Sequence, residues 1–440
     1  MSLSRRRASV LAGVIFSIAA VGCDQSGPPA PSPSGTGGRT NGSGGAGSGG
    51  SMSGSGGSAG TGGAGGMQAP GGGGGSGGAV STLPDAGTSD GQTMPDAARD
   101  TGGGGGDTSS PPDASTAMPN PAVLSIMKRV ADWQIPRMGT AKGWVHGAGW
   151  TGLMATYTAT GEAKYLDAVK RWAGNWMVIT SGEGRADRQC AAQVFYDAYL
   201  AEPTPENAIR YMASKGDLDA VVNGNLRGRV EWWWQDALFM APPGIARLGK
   251  ITGDKKYFAE MNRMWWDTYA FLWNPQVGLM YRDNNNRQRF WSRGNGWVFA
   301  GIARVLQYLP LDDPKRPDFI KMLNDMATAL LKVQAPTGFW RSDLLGPASQ
   351  GPESSGTGFY TFGLAYGINN GHLDRATYLP AVKKGWMALT SVVNAEGRLG
   401  YVQNIGLAPG PAGENESHEF GVGAFLLAGS EVAKIGSLDQ

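Results

Sequence analysis

Apolar positions between residues 119 and 440 recur in two alternating kinds of stretch. In the first kind, small residues lead into an apolar and aromatic run that ends at Gly or Pro. Six such segments begin at Gly147, Asp187, Asp236, Gly294, Gly356 and Phe420, spaced 40 to 64 residues apart. A repeat of that length is one helical hairpin. The second kind is amphipathic, and three examples echo one another. Tyr165, Val169 and Trp172 share a spacing with Tyr257, Met261 and Trp265 and with Tyr378, Val382 and Trp386. Steps of four and then three or four place each trio on one helical face. Thr160-Gly161 and Thr252-Gly253, each followed by an acidic residue, mark turns and helix starts ahead of the first two.

The sixth inner segment has no helix after it, so its partner must come from the other end. Ala122–Ile135 has the periodicity to supply it. Six inner and six outer helices then close a ring, an all-α (α/α)6 barrel. An open helical solenoid is the competing architecture, but it would not need its first helix to cover its last. Glycines within the inner helices cost about 1 kcal/mol each against Ala. That cost is tolerable where helices must meet backbone to backbone.

If the inner helices run parallel, their N-termini open at one mouth. The segments entering them are KGWVHGAGW, GEGRADRQC, VEWWWQD, RFWSRGNGW, PESSGTGFY and ESHEFGVG. The opposite ends are plainer turns, where Asp254 and Asp374 read as helix caps. One rim therefore gathers Trp144, His146, Asp187, Trp233, Trp234, Asp236, Trp291, Arg293 and Trp297. Trp232, Trp233 and Trp234 are consecutive, so a helix would spread them around its circumference and turn at least one away from the core.

Composition confines this chemistry to the C-terminal part. Residues 1–22 read as a lipoprotein signal: Arg5, Arg6 and Arg7 precede a short apolar run that ends in Ala20-Val21-Gly22-Cys23. Cys23 is the expected lipidation site, which implies an exported protein held at a membrane by its lipid. Residues 23–118 are rich in Gly, Ser and Pro, offer almost nothing to bury, and read as a flexible linker. The barrel domain is expected over 119–440. Three histidines and two cysteines leave little from which to build a metal site, and no cofactor is expected. A net charge of +2 argues against a nucleic-acid partner.

Aromatic faces beside Asp and Arg suit a sugar, and six helix N-termini at one mouth favour an anion. The expected ligand is an acidic oligosaccharide. Asp187 and Asp236 lie one hairpin repeat apart, at equivalent heights on neighbouring inner helices. Two carboxylates at one mouth suit acid and base work, and tryptophan surface would raise the pKa of one of them. Either Asp alone could equally be a helix cap. Arg293 could bind a substrate carboxylate or pair with one from the protein.

Four segments, WWWQDALFMAPP, FWSRGNGWV, SSGTGFYTFGLAYGINNGHLDRATYLP and FGVGAFLLAGSEV, carry a resemblance. In this order they resemble the unsaturated uronyl hydrolases of glycoside hydrolase families 105 and 88, over essentially Val123 to Ile435. The resemblance implies the same barrel and makes Asp236 the general acid and base. Asp187 is implied as the second carboxylate. Trp291, Arg293, Asn295 and Trp297 fall in the motif implied to bind the uronate. Many relatives have a His shortly after a Gly-Leu-Tyr-like stretch; here Arg282 stands at about that point. The implied reaction releases a terminal Δ4,5-unsaturated uronic acid from lyase-generated oligosaccharides by hydrating the C4=C5 double bond. An inverting glycosidase acting on saturated glucuronides and a non-catalytic acidic-glycan-binding lipoprotein are the competing functions.

Overall fold

The computed structural model describes residues 118–174, 185–347, 351–436 and 438. The expectations for the signal, for Cys23 and for nearly all of the linker lie outside the described residues. In chain order the helices begin with α1 (Pro121–Gln134), α2 (Trp144–Thr160) and α3 (Ala163–Gly174). The short α4 (Arg185–Gln189), α5 (Ala192–Ala201) and α6 (Pro205–Val222) follow. Next come α7 (Gly228–Glu231), α8 (Ala237–Met240), α9 (Pro242–Thr252) and α10 (Lys255–Leu272). A small antiparallel hairpin, β1 (Trp273–Asn274) and β2 (Leu279–Met280), precedes α11 (Ser292–Leu306). The chain then runs through α12 (Arg316–Val333), α13 (Ser354–Asn369), α14 (Arg375–Ser391) and α15 (Glu419–Val432).

Helices α2, α5, α9, α11, α13 and α15 pack side by side in that order, and α15 packs back onto α2. The ring is closed, and the architecture is the (α/α)6 barrel. The first helix covers the last: α1 packs on α15, and the Asn120 N–H donates to Ala433 O at 2.9 Å. Burial separates the two layers. Every residue of α11 is buried, as an inner helix between neighbours must be. The outer helices bury one stripe only, and all nine residues of the three Tyr–Val/Met–Trp trios are buried. Close helix approach explains inner glycines. A Cβ on Gly152 would fall 2.7 Å from the Cα of Gly423, so α2 and α15 meet backbone to backbone.

Two inner helices depart from a regular rod, and they are the two that carry the candidate carboxylates. Each is split near the mouth, into α4 and α5 and into α8 and α9. Pro242 and Pro243 cause the second break, because neither has an N–H for the carbonyl four residues earlier. The carbonyl of Phe239, which Pro243 leaves without a donor, accepts instead from Gln193 Nε2 at 2.7 Å. Gln193 Oε1 accepts in turn from Arg304 Nε at 2.7 Å, tying α5 and α11 to the break.

Side-chain caps are commoner at the starts of outer helices than of inner ones, with uncapped α12 and Glu353-capped α13 as the exceptions. Outer helices α1, α6, α10 and α14 begin with side-chain caps from Asn120, Thr204, Asp254 and Asp374. Inner helices α2, α11 and α15 begin with none, so their first N–H groups are not covered by a capping side chain.

Candidate active site

The tryptophan run is not helical, contrary to the helical placement expected from sequence. Helix α7 stops at Glu231, Trp232 closes it, and residues 233–236 form an irregular step into α8. The step sorts the three rings by depth. Trp232 is buried at 1% exposure and Trp234 at 7%, while Trp233 stands 45% exposed. The Trp233 and Trp234 rings lie against each other, with centroids 4.9 Å apart. A large exposed aromatic face therefore sits three residues before Asp236.

Asp236 occupies the cap position of α8 but makes no capping hydrogen bond. Its Oδ1 is sealed from solvent and has no partner within the protein, although the residue as a whole stays partly open. Burial pushes its pKa up to about 6, against the lowering pull of Arg293 and Arg282 and with a smaller upward push from Asp283. The capping role that a lone Asp at a helix start could have is therefore not the one it plays. The neighbouring Gln235 is fully buried, and neither polar atom of its side chain has a partner within the protein. Gly294 in the first turn of α11 makes this approach possible. A Cβ there would lie 1.8 Å from Gln235 Nε2 and 3.2 Å from Asp236 Oδ1.

Asp187 lies in α4, which packs against α8, and is partly buried. Asp283, a residue that sequence reasoning passed over, is an acidic group that acts electrostatically on Asp236. Asp283 is itself buried and pairs with Arg282. Its carboxylate also accepts from the N–H groups of Asn285 and Asn286, which fixes the 282–286 turn beside the site. The Arg282 carbonyl accepts the Gln235 N–H at 2.9 Å, so this turn also helps to hold the Asp236 step.

The WSRGNGW motif plays a deeper role than substrate contact. Asn295 is fully buried; its Oδ1 accepts from Met280 N at 2.8 Å and its Nδ2 donates to Met280 O and Trp291 O. It clamps the β-hairpin to α11 and has no face left for a ligand, which corrects its expected binding role. Trp297 is likewise fully buried, packed on Phe239 and Phe359 at centroid distances of 4.7 and 4.3 Å. It forms the floor beneath the mouth. Trp291 donates its indole N–H to Gln403 Oε1 at 2.9 Å.

Arg293 is 2% exposed and makes no ion pair among the described residues. Its Nη1 donates to Gln403 O at 2.7 Å and to Asn404 O at 3.2 Å, and Nη2 also reaches Asn404 O. The guanidinium lies over the rings of Trp291 and Phe420, at 4.5 and 4.9 Å. Burial lowers its pKa, opposed by the charges of Glu353 and Asp236. Glu353 was not singled out in the sequence. It is fully buried at the start of α13 and accepts from Ser355 N, Gly356 N and Gln403 N. Arg293, Gln403 and Glu353 together form a charged scaffold under the mouth.

On the far wall, Trp144 is partly buried and meets Trp297 edge-on at 6.2 Å. His146 Nε2 lies 3.8 Å from Glu419 Oε1. His418, another residue outside the expected set, stacks on Phe420 with its Nε2 2.6 Å from Asn404 Oδ1. Trp144 and His146 stand in the first turn of α2, Asp187 in α4, and Trp233, Trp234 and Asp236 in the step before α8, to which Arg282 is hydrogen-bonded, while Trp291, Arg293, Asn295 and Trp297 are buried at the start of α11.

A cavity of about 410 Å³ opens elsewhere, between Asp197, Arg247, Arg304 and Tyr308. Its two arginines both pair with Asp197 and brace α5, α9 and α11, so its size alone does not make it the reactive site. No group of three or more His, Cys, Asp or Glu side chains among the described residues is arranged to hold a metal ion.

Comparisons with known proteins identify the family and agree with the fold. Residues 120–435 match the sequence profile of Glycosyl Hydrolase Family 88. An unsaturated 3S-rhamnoglycuronyl hydrolase of Formosa agariphila is 37% identical over 318 residues, 66% of this chain and 84% of the relative. A protein of the same name from an Alteromonas species is 33% identical, covering 72% of this chain and 88% of the relative. A solved structure titled as a glycosyl hydrolase family 88 protein from Bacteroides vulgatus superposes with a TM-score of 0.65 at 30% identity, over 71% of this chain and 98% of that one. Similarity that runs along the whole barrel, in sequence and in structure, makes this chain a member of glycosyl hydrolase family 88.

Proposed function

We propose that the protein removes a terminal Δ4,5-unsaturated uronic acid from oligosaccharides that a polysaccharide lyase has already cut. The observation that carries this reading is Asp236: a carboxyl at the mouth, half-closed from water, uncommitted to its helix, with a pKa raised to about 6. A carboxyl of that kind is protonated often enough to donate a proton near neutral pH and basic enough to take one back. Asp236 gives its proton to C4 of the double bond while positive charge develops at C5. The carboxylate that results removes a proton from water as the water oxygen bonds to C5. The hemiketal so formed opens and releases the neighbouring sugar. Asp187, on α4 packed against α8, is the second carboxylate of this reading and holds substrate hydroxyls. The exposed face of Trp233 offers a surface on which a sugar ring stacks.

The more similar relatives carry the 3S-rhamnoglycuronyl name, and a rhamnogalacturonyl hydrolase of Bacillus subtilis is 24% identical. This ordering supports an unsaturated uronate joined to rhamnose in a glucuronate-containing chain. The test is a panel of lyase digests from rhamnose- and glucuronate-containing, rhamnogalacturonan and glycosaminoglycan polysaccharides. The first should lose its double-bond ultraviolet absorbance at least about tenfold faster than the others, in line with discrimination built on hydrogen bonds to hydroxyls. Faster loss from either other digest would overturn the assignment of substrate.

We also propose that the protein is exported and held at a membrane by a lipid on Cys23. Arg5–Arg7, the apolar run after them and the small residues before Cys23 support that reading.

A further inference from the structure

The buried amides of Asn295, Gln193 and Gln403 each use both ends, on hairpin, helix and loop partners. Gln235 is as deeply buried and uses neither end. Its backbone is committed: the N–H donates to Arg282 O at 2.9 Å, and the carbonyl accepts from Leu238 N at 3.1 Å. Only the side-chain amide is spare, and it is closed off from solvent. A buried amide without partners costs free energy that an apolar side chain of the same length would not. Such a group calls for a use. One lies beside it. The point that a Cβ on Gly294 would occupy is 1.8 Å from Gln235 Nε2 and 3.2 Å from Asp236 Oδ1, so the amide and the carboxyl sit over the same glycine of α11. Asp236 Oδ1 is itself sealed and without a partner within the protein. Asp236 as a whole stays partly open, which leaves Oδ2 as its oxygen toward the mouth.

We infer that Gln235 is a positioning residue, whose amide N–H donates to Asp236 Oδ1 in the substrate complex and so keeps the reacting proton on Oδ2; the inference rests on the hydration reading above. A carboxyl can carry its proton on either oxygen, and only a proton on the open oxygen reaches C4. An N–H donor at Oδ1 makes that oxygen the acceptor and leaves Oδ2 to hold the proton. As the proton passes to C4, negative charge grows on the carboxylate and the amide bond to Oδ1 strengthens. Oδ2 then takes a proton from the water that bonds to C5, while Oδ1 remains the acceptor. Hydrogen bonds of this kind are often completed only once substrate is bound. The charged groups that act on Asp236 are Arg293, Arg282 and Asp283, with Asp187 on the adjoining α4, and none of them is hydrogen-bonded to Oδ1.

Gln235→Met keeps the length of the side chain and removes the amide. On an unsaturated glucuronide it should lower kcat about 10–100-fold, the worth of one hydrogen bond to a charged group, and leave KM nearly unchanged. The descending limb of its kcat/KM profile should move to higher pH, because the lost bond favours the carboxylate form. The melting temperature should hold or rise, since an apolar side chain replaces an unpartnered amide. In an Asp236→Asn background the same substitution should change kcat little, because its effect runs through the carboxyl. Gln235→Glu is the second variant. Its neutral carboxyl can still donate, so part of the lost kcat should return at acid pH and disappear as the new group ionises. If Gln235→Met keeps the wild-type kcat and pH profile, or lowers kcat as much in the Asp236→Asn background, the amide does not position the carboxyl while the reaction stands. Should Gln235→Met fail to fold, a Gln235→Glu protein with the wild-type pH profile overturns the inference in its place. If the wild-type protein does not consume the unsaturated compound, the hydration reading itself falls, and the role of Gln235 falls with it.

Discussion

Asp236→Asn should lower kcat by about 10²–10⁴-fold, the range in which a positioned acid and base contributes. Asn has nearly the same shape, so binding should survive and KM should move little. In the wild type, the proton-donating form of Asp236 is lost as pH rises through about 6. The pH profile of kcat/KM should fall above that point, and the fall should be absent from the residual activity of the variant. The same substitution should stabilise the fold on the alkaline side. A carboxyl whose pKa is raised on folding binds more protons folded than unfolded, so its stability contribution declines as pH rises from about 4 toward about 6. Above that window, the displacement from 3.8 to about 6 corresponds to a cost of at most about 3 kcal/mol, which Asn does not carry. Thermal melts should show the variant ahead at pH 8 and level with the wild type at pH 4. A variant that keeps full kcat would remove Asp236 from the chemistry.

Arg293→Ala should damage the fold as well as the site. Its guanidinium donates to two backbone carbonyls and offsets the buried charge of Glu353. Removing one member of a buried charged arrangement costs about 3–5 kcal/mol. Urea titration should show a loss of that size, and the melting temperature should drop by several degrees. KM should rise too, because the 403–404 segment braces Trp291. Arg293→Lys should recover part of the stability, as an ammonium lacks the planar fork that spans both carbonyls. If Arg293→Ala melts like the wild type and raises KM alone, the guanidinium serves the ligand and not the scaffold.

Most of the architecture was legible because helical packing writes a period into the chain. The Tyr165, Tyr257 and Tyr378 trios mark outer helices, and the missing partner of α15 points to α1. The mouth was legible as a collection of loops that precede inner helices. How each residue is used there was not. Arg293 meets Gln403 and Asn404 at a sequence distance of 110 and 111, across a loop that carries no periodic signal. Glu353 reads as one more acidic residue before a helix, since Glu is not a favoured cap. Asn295 looks like a polar group offered to a ligand until the hairpin carbonyl it holds is seen. The irregular step at Trp232–Asp236 was hidden because apolar residues running into ALFM suit a helix in any window. Local pattern records which face is buried; it does not record which distant backbone group a polar side chain will meet.

The most direct test of the central claim compares two substrates that differ only at C4 and C5. One is an unsaturated glucuronide produced by a lyase, and the other is its saturated counterpart with the same leaving sugar. Hydration needs the double bond, so only the unsaturated compound should be consumed, with ultraviolet absorbance and intact substrate disappearing together while the saturated compound stays whole. Equal turnover of both would show that the glycosidic bond is attacked directly, and Asp236 with Asp187 would then be the acid and base of an inverting glycosidase.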